Sequence, residues 1–157
     1  MLKLMLLRHA KTENQSDTGL DFDRQLALKG QRQAKSMATH LTTIDLTKTV
    51  VFCSDAKRTV RTFEYLLAQN DIPSYVLKHD LYLASRETLF NQLCEQNGDF
   101  PILLIGHNDG LSDLASYLTD DYIHLNTCTL LTLDVHAKDW SELTQGSCTI
   151  SELYRPE

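Results

Sequence analysis

Three short apolar runs, the first broken only by Lys3, constrain this chain more than any other feature: Leu2–Leu7, Val50–Cys53 and Ile102–Ile105. A strand that is apolar on both alternating faces needs cover on both sides, which a parallel sheet wrapped by helices provides. Helical spacing follows each run. Ala34, Met37, Ala38 and Leu41 recur within Ala27–Leu41. Val60, Phe63, Leu66 and Leu67 form a stripe that ends near Asn70, and Leu111, Leu114, Ala115 and Leu118 follow Gly106. Between the second and third runs, Pro73 marks a turn and Ser74–Leu77 reads as a further strand. Ser85 is a good N-cap for a helix carrying Leu89, Leu93 and Cys94. The polar stretch Ala10–Arg24 reads as loop. Leu130–Val135 alternates like a strand, with Thr149–Leu153 as its hairpin partner. Strand–helix repeats with an antiparallel tail predict a three-layer α/β/α domain around a mostly parallel central sheet. The 157 residues fit one such domain, 1–157, with no cap domain.

The net charge of −6 argues against broad nucleic-acid binding, which needs a basic face. No run reaches the roughly 18–20 apolar residues that span a bilayer. Met1–Leu7 is apolar apart from Lys3, but it has no basic segment before it and Arg8 interrupts it early, so it does not read as a targeting signal. The expectation is a soluble, cytoplasmic protein that binds neither membrane nor nucleic acid. Cys53, Cys94, Cys128 and Cys148 form no C-x-x-C pair and are expected to be free thiols in a reducing compartment.

In open α/β sheets, sites form beyond the carboxyl ends of the strands. Arg8 and His9 follow the first run. Ser54, Asp55, Lys57, Arg58 and Arg61 follow the second, and Gly106, His107, Asn108 and Asp109 follow the third. Arginine offers a planar fork of donors that matches phosphate oxygens. A neutral imidazole beside such an anion pocket can attack phosphorus. A second histidine, protonated, can donate to the oxygens where charge gathers in the transition state. Phosphoryl transfer mainly requires positioning and positive charge, so this set needs no metal and no cofactor.

The ordered motifs resemble those of the histidine phosphatase superfamily, the phosphoglycerate mutase-like fold. LLRHAKTE carries an Arg-His pair straight after a strand, like the Arg-His-Gly signature. DFDRQLALKG (Asp21–Gly30) is similar to the Asp-x-Asp-Arg-Pro-Leu segment of short members. CSDAKRTVRT (Cys53–Thr62) is similar to Ser-Ser-Pro-x-x-Arg-x-x-x-Thr, LYLAS (Leu81–Ser85) to Leu-Tyr-x-Ala-Ser, and LLIGHNDGLSDLASYL (Leu103–Leu118) to Gly-His-Asn-Pro-Gly-Leu. Tyr154-Arg155-Pro156 also resembles the family's end. The set covers nearly the whole chain and is most similar to the short, capless SixA-like phosphohistidine phosphatases. That resemblance implies a phosphatase with a phosphohistidine enzyme intermediate on His9. Arg8, Arg58 and His107 would complete the phosphate pocket, with Asn14 and Arg24 as rim contacts. The substrate would be a phosphohistidine-bearing protein or a small phosphorylated compound. Ala10 stands for the usual glycine, Asp55 and Asp109 for prolines, and Gln25 for a third proline.

The general acid stays open among Glu87, Asp21 and Asp23. Glu87 also suits an ordinary first-turn position. Lys11, Lys57 and Arg61 read as surface charges, and Tyr82 as core. His40, His79, His124 and His136 match no motif. Two other readings compete. One is a metal-dependent hydrolase using His9, His107, Asp55 and Asp109, although no H-E-x-x-H or paired-Asp motif is present. The other is a catalytically silent phospho-ligand binding module.

Overall fold

A computed structural model describes residues 2–157. The apolar runs become β1 (Leu2–Arg8), β2 (Val50–Ser54) and β4 (Ile102–Gly106), and the weaker candidates become β3 (Ser74–Lys78), β5 (Leu130–Val135) and β6 (Cys148–Tyr154). The helices are α1 (Leu28–Leu41), α2 (Lys57–Leu67), α3 (Arg86–Cys94) and α4 (Gly110–Thr119). Ser85 caps α3 by accepting from the Thr88 amide, as its residue type predicts.

One six-stranded sheet runs in the order β3-β2-β4-β1-β5-β6. The pairs β3–β2, β2–β4 and β4–β1 are parallel, and β5 runs antiparallel to both β1 and β6. The chain moves outward from β1 to β3, then turns back to insert β4 between β2 and β1. Right-handed crossovers therefore place the first two helices on one face and the third on the other.

The side chains follow. Met5, Leu7, Val51, Cys53, Leu103 and Ile105 meet Met37 and Leu41 of α1 and Phe63 and Leu66 of α2. On the opposite face, Leu4, Leu6, Phe52, Ile102 and Leu104 meet Leu89 and Leu93 of α3 and Leu114 and Leu118 of α4. Both faces of β1 and β4 are thus covered, which is why their sequences do not alternate. Each buried leucine of these runs contributes roughly 1.5–3 kcal/mol. Cys53, Cys128 and Cys148 lie in this interior with unpaired thiols, and Cys94 is partly covered.

Two glycines fix how the helices meet the loops above the sheet. A Cβ on Gly30 would lie 1.9 Å from the carbonyl oxygen of Lys11, and one on Gly110 would lie 1.9 Å from that of Ala84. Only a missing side chain permits those approaches. Gly30 thereby docks α1 against the loop after β1, and Gly110 docks α4 against the segment between β3 and α3. Among the described residues, no helix is long and apolar enough to cross a membrane.

Candidate active site

The register aligns Arg8 with Gly106 across β1 and β4, so His9 and His107 leave adjacent strands side by side. Their ring centroids are 5.4 Å apart. β2 lies on the other flank of β4 and delivers Ser54 and the start of α2. Together they bound a cavity of about 270 Å³, lined among others by Arg8, His9, Asn14, Asp21, Arg24, Arg58 and His107. All the residues expected to bind phosphate therefore converge.

His9 is 6% exposed. Its Nδ1 lies 2.8 Å from the carbonyl oxygen of Ala10, an acceptor only, so Nδ1 carries the proton of the neutral ring and Nε2 keeps its lone pair. The loop is held in turn. The His9 amide donates to the Gly106 carbonyl, the Cys128 amide donates to the Arg8 and His9 carbonyls, and the Ala10 amide donates to Thr62 Oγ1 at 3.1 Å. Burial pushes the ring down to about 3; the bond to Ala10 opposes that fall, while Arg58, Arg8 and Arg24 add to it.

His107 is also buried, with Nε2 2.8 Å from Ser54 Oγ. Burial, then His9 and Arg58, push it down to about 3. In the protein alone His107 is thus held toward its neutral form: the arginines that make the pocket attractive to anions also disfavour a second cation beside them.

Arg58 is 3% exposed and is gripped by Asp21, whose carbonyl accepts from Nη1 at 2.8 Å and whose Oδ2 accepts from Nη2 at 2.9 Å. Arg24 donates to Asp21 Oδ1 at 3.0 Å, and the Tyr82 hydroxyl donates to Oδ2 at 2.5 Å. Burial raises the Asp21 carboxyl, but these hydrogen bonds outweigh it and hold the group well below the usual carboxylate range. Asp21 is therefore an ionised clamp for two arginines, not a proton donor. Arg8 donates from Nη1 to the Leu125 carbonyl at 3.1 Å. The Nε atoms of Arg8 and Arg58 and Nδ1 of His107 are buried without a protein partner.

Several expectations change. Glu87 lines a different cleft, with Arg86, Asp113 and Tyr117, and does not line the His9 cavity. At the N-terminus of α3 it serves the helix dipole, and the general-acid role fails on position. Asp23 pairs with Lys57 at 3.7 Å. Tyr82 is not core but reaches the site through Asp21, and Lys11 borders the cavity. Asp55 turns to His79, 3.1 Å away, instead of joining His9. Among the described residues, no three His, Cys, Asp or Glu side chains gather as a metal-binding group. Ser54, named at the end of the second run without a role, holds His107, and Thr62, which the sequence reading did not single out, holds the loop after β1; both fall inside the quoted Cys53–Thr62 motif.

The neutral rings set a pH dependence. An unfolded histidine takes up a proton near pH 6.5, whereas the folded His9 and His107 do so only near 3. As pH falls below 6.5 the unfolded state binds more protons, so stability falls. Urea unfolding at pH 5 should show a loss on the order of 2 kcal/mol per buried ring relative to pH 7. The His9→Gln variant should lose about half as much across that window. An equal loss in this variant would show that other groups set the slope.

A buried neutral imidazole with a free ring nitrogen, sharing a cavity with the buried Arg58 and the partly buried Arg8 at the carboxyl edge of an α/β sheet, defines a site for phosphoryl or similar oxyanion chemistry. Residues 4–81 match the family model described as histidine phosphatase superfamily (branch 1). The matched segment carries Arg8, His9, Arg24 and Arg58; His107 joins them through the fold. An uncharacterized chloroplastic protein of Arabidopsis thaliana is 29% identical over 151 residues, covering 89% of this chain and 69% of its own length. A structure assigned as the phosphohistidine phosphatase SixA of Nakamurella multipartitia superposes with a TM-score of 0.83 at 21% identity, over 98% of this chain and 95% of that one. The protein histidine phosphatase SixA complexed with tungstate gives 0.82 at 18% identity, over 98% and 96%. At these identities the two structures establish the shared fold.

Proposed function

We propose that this protein is a metal-independent phosphatase that passes a phosphoryl group through His9 to water, with phosphohistidine on a protein as the favoured donor and small phosphorylated compounds as the alternative. The observation that carries the reading is the state of His9: buried, neutral, its Nδ1–H fixed on Ala10, and its Nε2 lone pair left for phosphorus.

The donor's phosphoryl oxygens bind Arg8, Arg58 and His107, whose unpartnered donors then gain acceptors. The dianion's charge opposes the arginines' effect on His107 and favours its protonated, donating form. Nε2 of His9 forms a bond to phosphorus as the bond to the leaving group breaks, and the electron pair departs with that group. Water then attacks phosphorus, the N–P bond returns its electrons to His9, and the water's proton leaves with inorganic phosphate. Asn14 and Arg24 stand on the rim, where they contact the donor.

The choice of donor follows from the acids. Asp21 is the only carboxyl lining the cavity, and it is held ionised. A leaving group that needs no proton from the enzyme suits such a site, and a ring-protonated phosphohistidine departs as neutral imidazole. The names of the SixA relatives and the tungstate bound by one of them, a tetrahedral oxyanion, support the same reading.

The test is covalent trapping. The protein is mixed with labelled phosphoramidate in excess chelator, quenched in alkaline denaturant and mapped. Acid-labile, base-stable label on His9 is expected, with the rate unchanged by chelator. Loss of turnover with chelator would return the metal-dependent reading, and bound phosphate without label or turnover would mean a silent binding module.

A further inference from the structure

Every residue that lines the His9 cavity carries a polar or charged side chain, with one exception, Leu83. Its side chain is not shielded: Leu83 is 53% exposed. Its backbone sits in the left-handed region, with φ of 49°, which a leucine adopts only at a cost.

That conformation is enforced from both sides. Before it, the Tyr82 hydroxyl is bonded to Asp21, and the Tyr82 amide donates to the His79 carbonyl at 2.9 Å. After it, the carbonyl of Ala84 rests against Gly110, where no side chain would fit, and Ser85 caps α3. The fold thus spends strain to present an apolar side chain at the mouth of a charged cavity. Across Asp21 lies a second depression of about 370 Å³, which shares Asn14, Asp21 and Arg24 with the first. Its one large apolar side chain is Leu20, 62% exposed.

We infer that Leu83 is a specificity-determining contact for the leaving group, and that the group it accepts is a flat ring, the imidazole of N-phosphohistidine. The inference rests on the phosphatase reading above. The phosphoryl group is matched by arginines and histidines, so Leu83 has no part in holding it. A ring attached to phosphorus that extends out of the cavity past Leu83 covers its exposed surface. Ammonia, the leaving group of phosphoramidate, is too small to reach it.

The comparison is therefore between two donors on one enzyme, phosphoramidate and N-phosphohistidine. Asparagine tolerates the left-handed backbone, so Leu83→Asn removes the apolar contact without adding strain; Leu83→Met keeps an apolar side chain there. In Leu83→Asn, the ratio of kcat/KM for N-phosphohistidine over phosphoramidate should fall about tenfold, mainly through KM, and Leu83→Met should restore it. An unchanged ratio in an active Leu83→Asn enzyme, or an equal fall in Leu83→Met, overturns the role of Leu83 alone. Wild-type protein that hydrolyses neither donor overturns the phosphatase reading and this inference with it.

Discussion

Replacing His9 with alanine should reduce turnover of phosphoramidate and aryl phosphates by at least about 10³-fold and remove all covalent label. The size follows from the chemistry: His9 has one ring nitrogen fixed on the Ala10 carbonyl and the other left without a partner in the cavity. His107 is the nearest ring, and its Nε2 is occupied by Ser54. The fold should survive. β1 is held by ladders to β4 and β5, and the loop after it by amides that do not involve the imidazole. The substitution also removes a ring that resists protonation, so the variant should lose less stability than wild type in mild acid. The variant should still bind inorganic phosphate, because Arg8, Arg58 and His107 remain. A normal rate in the alanine variant would remove His9 from the mechanism, and a loss of phosphate binding would show collapse of the pocket instead.

The second large effect belongs to Arg58. Arg58→Ala should weaken inorganic phosphate binding by ten- to a hundredfold and lower kcat/KM by at least as much, measured by calorimetry and steady-state kinetics. Two contributions combine. The variant loses a buried cation, and it leaves the Asp21 carboxylate in the cavity with only Arg24 and Tyr82 to satisfy it. An underpaired carboxylate repels the incoming phosphate. The pair can be separated by a double-mutant cycle: in Arg58→Ala/Asp21→Asn the repulsion goes, and part of the phosphate affinity should return. Additive losses in the double variant would mean that Asp21 acts on the ligand independently of Arg58. An unchanged rate in the single variant would place Arg58 outside the site.

The parts of the site that the sequence revealed are those tied to strand ends. Apolar runs mark strands covered on both faces, and whatever follows them must arrive at one edge, which is how Arg8, His9, Arg58 and His107 were legible. The network behind them was not. Asp21 meets Arg58 across 37 positions and Tyr82 across 61, and no periodicity carries such contacts. Tyr82 read as core because hydropathy cannot tell a ring packed inward from one whose hydroxyl reaches a carboxylate. Glu87 was misplaced because a first-turn position does not say toward which cleft the helix end faces. The charge on His107 depends on burial and on neighbours from other strands, which its residue type alone does not carry.

The central placement of β4 bears on when the protein first becomes competent. β1 and β2 do not pair; within the sheet they are joined through β4, which the chain reaches near residue 102. The sheet around the proposed pocket is therefore complete only once β4 lies between its two neighbours and brings His107 beside His9. Loss of an edge strand would leave that junction in place, whereas loss of β4 would part the two strands that lead to His9 and Arg58.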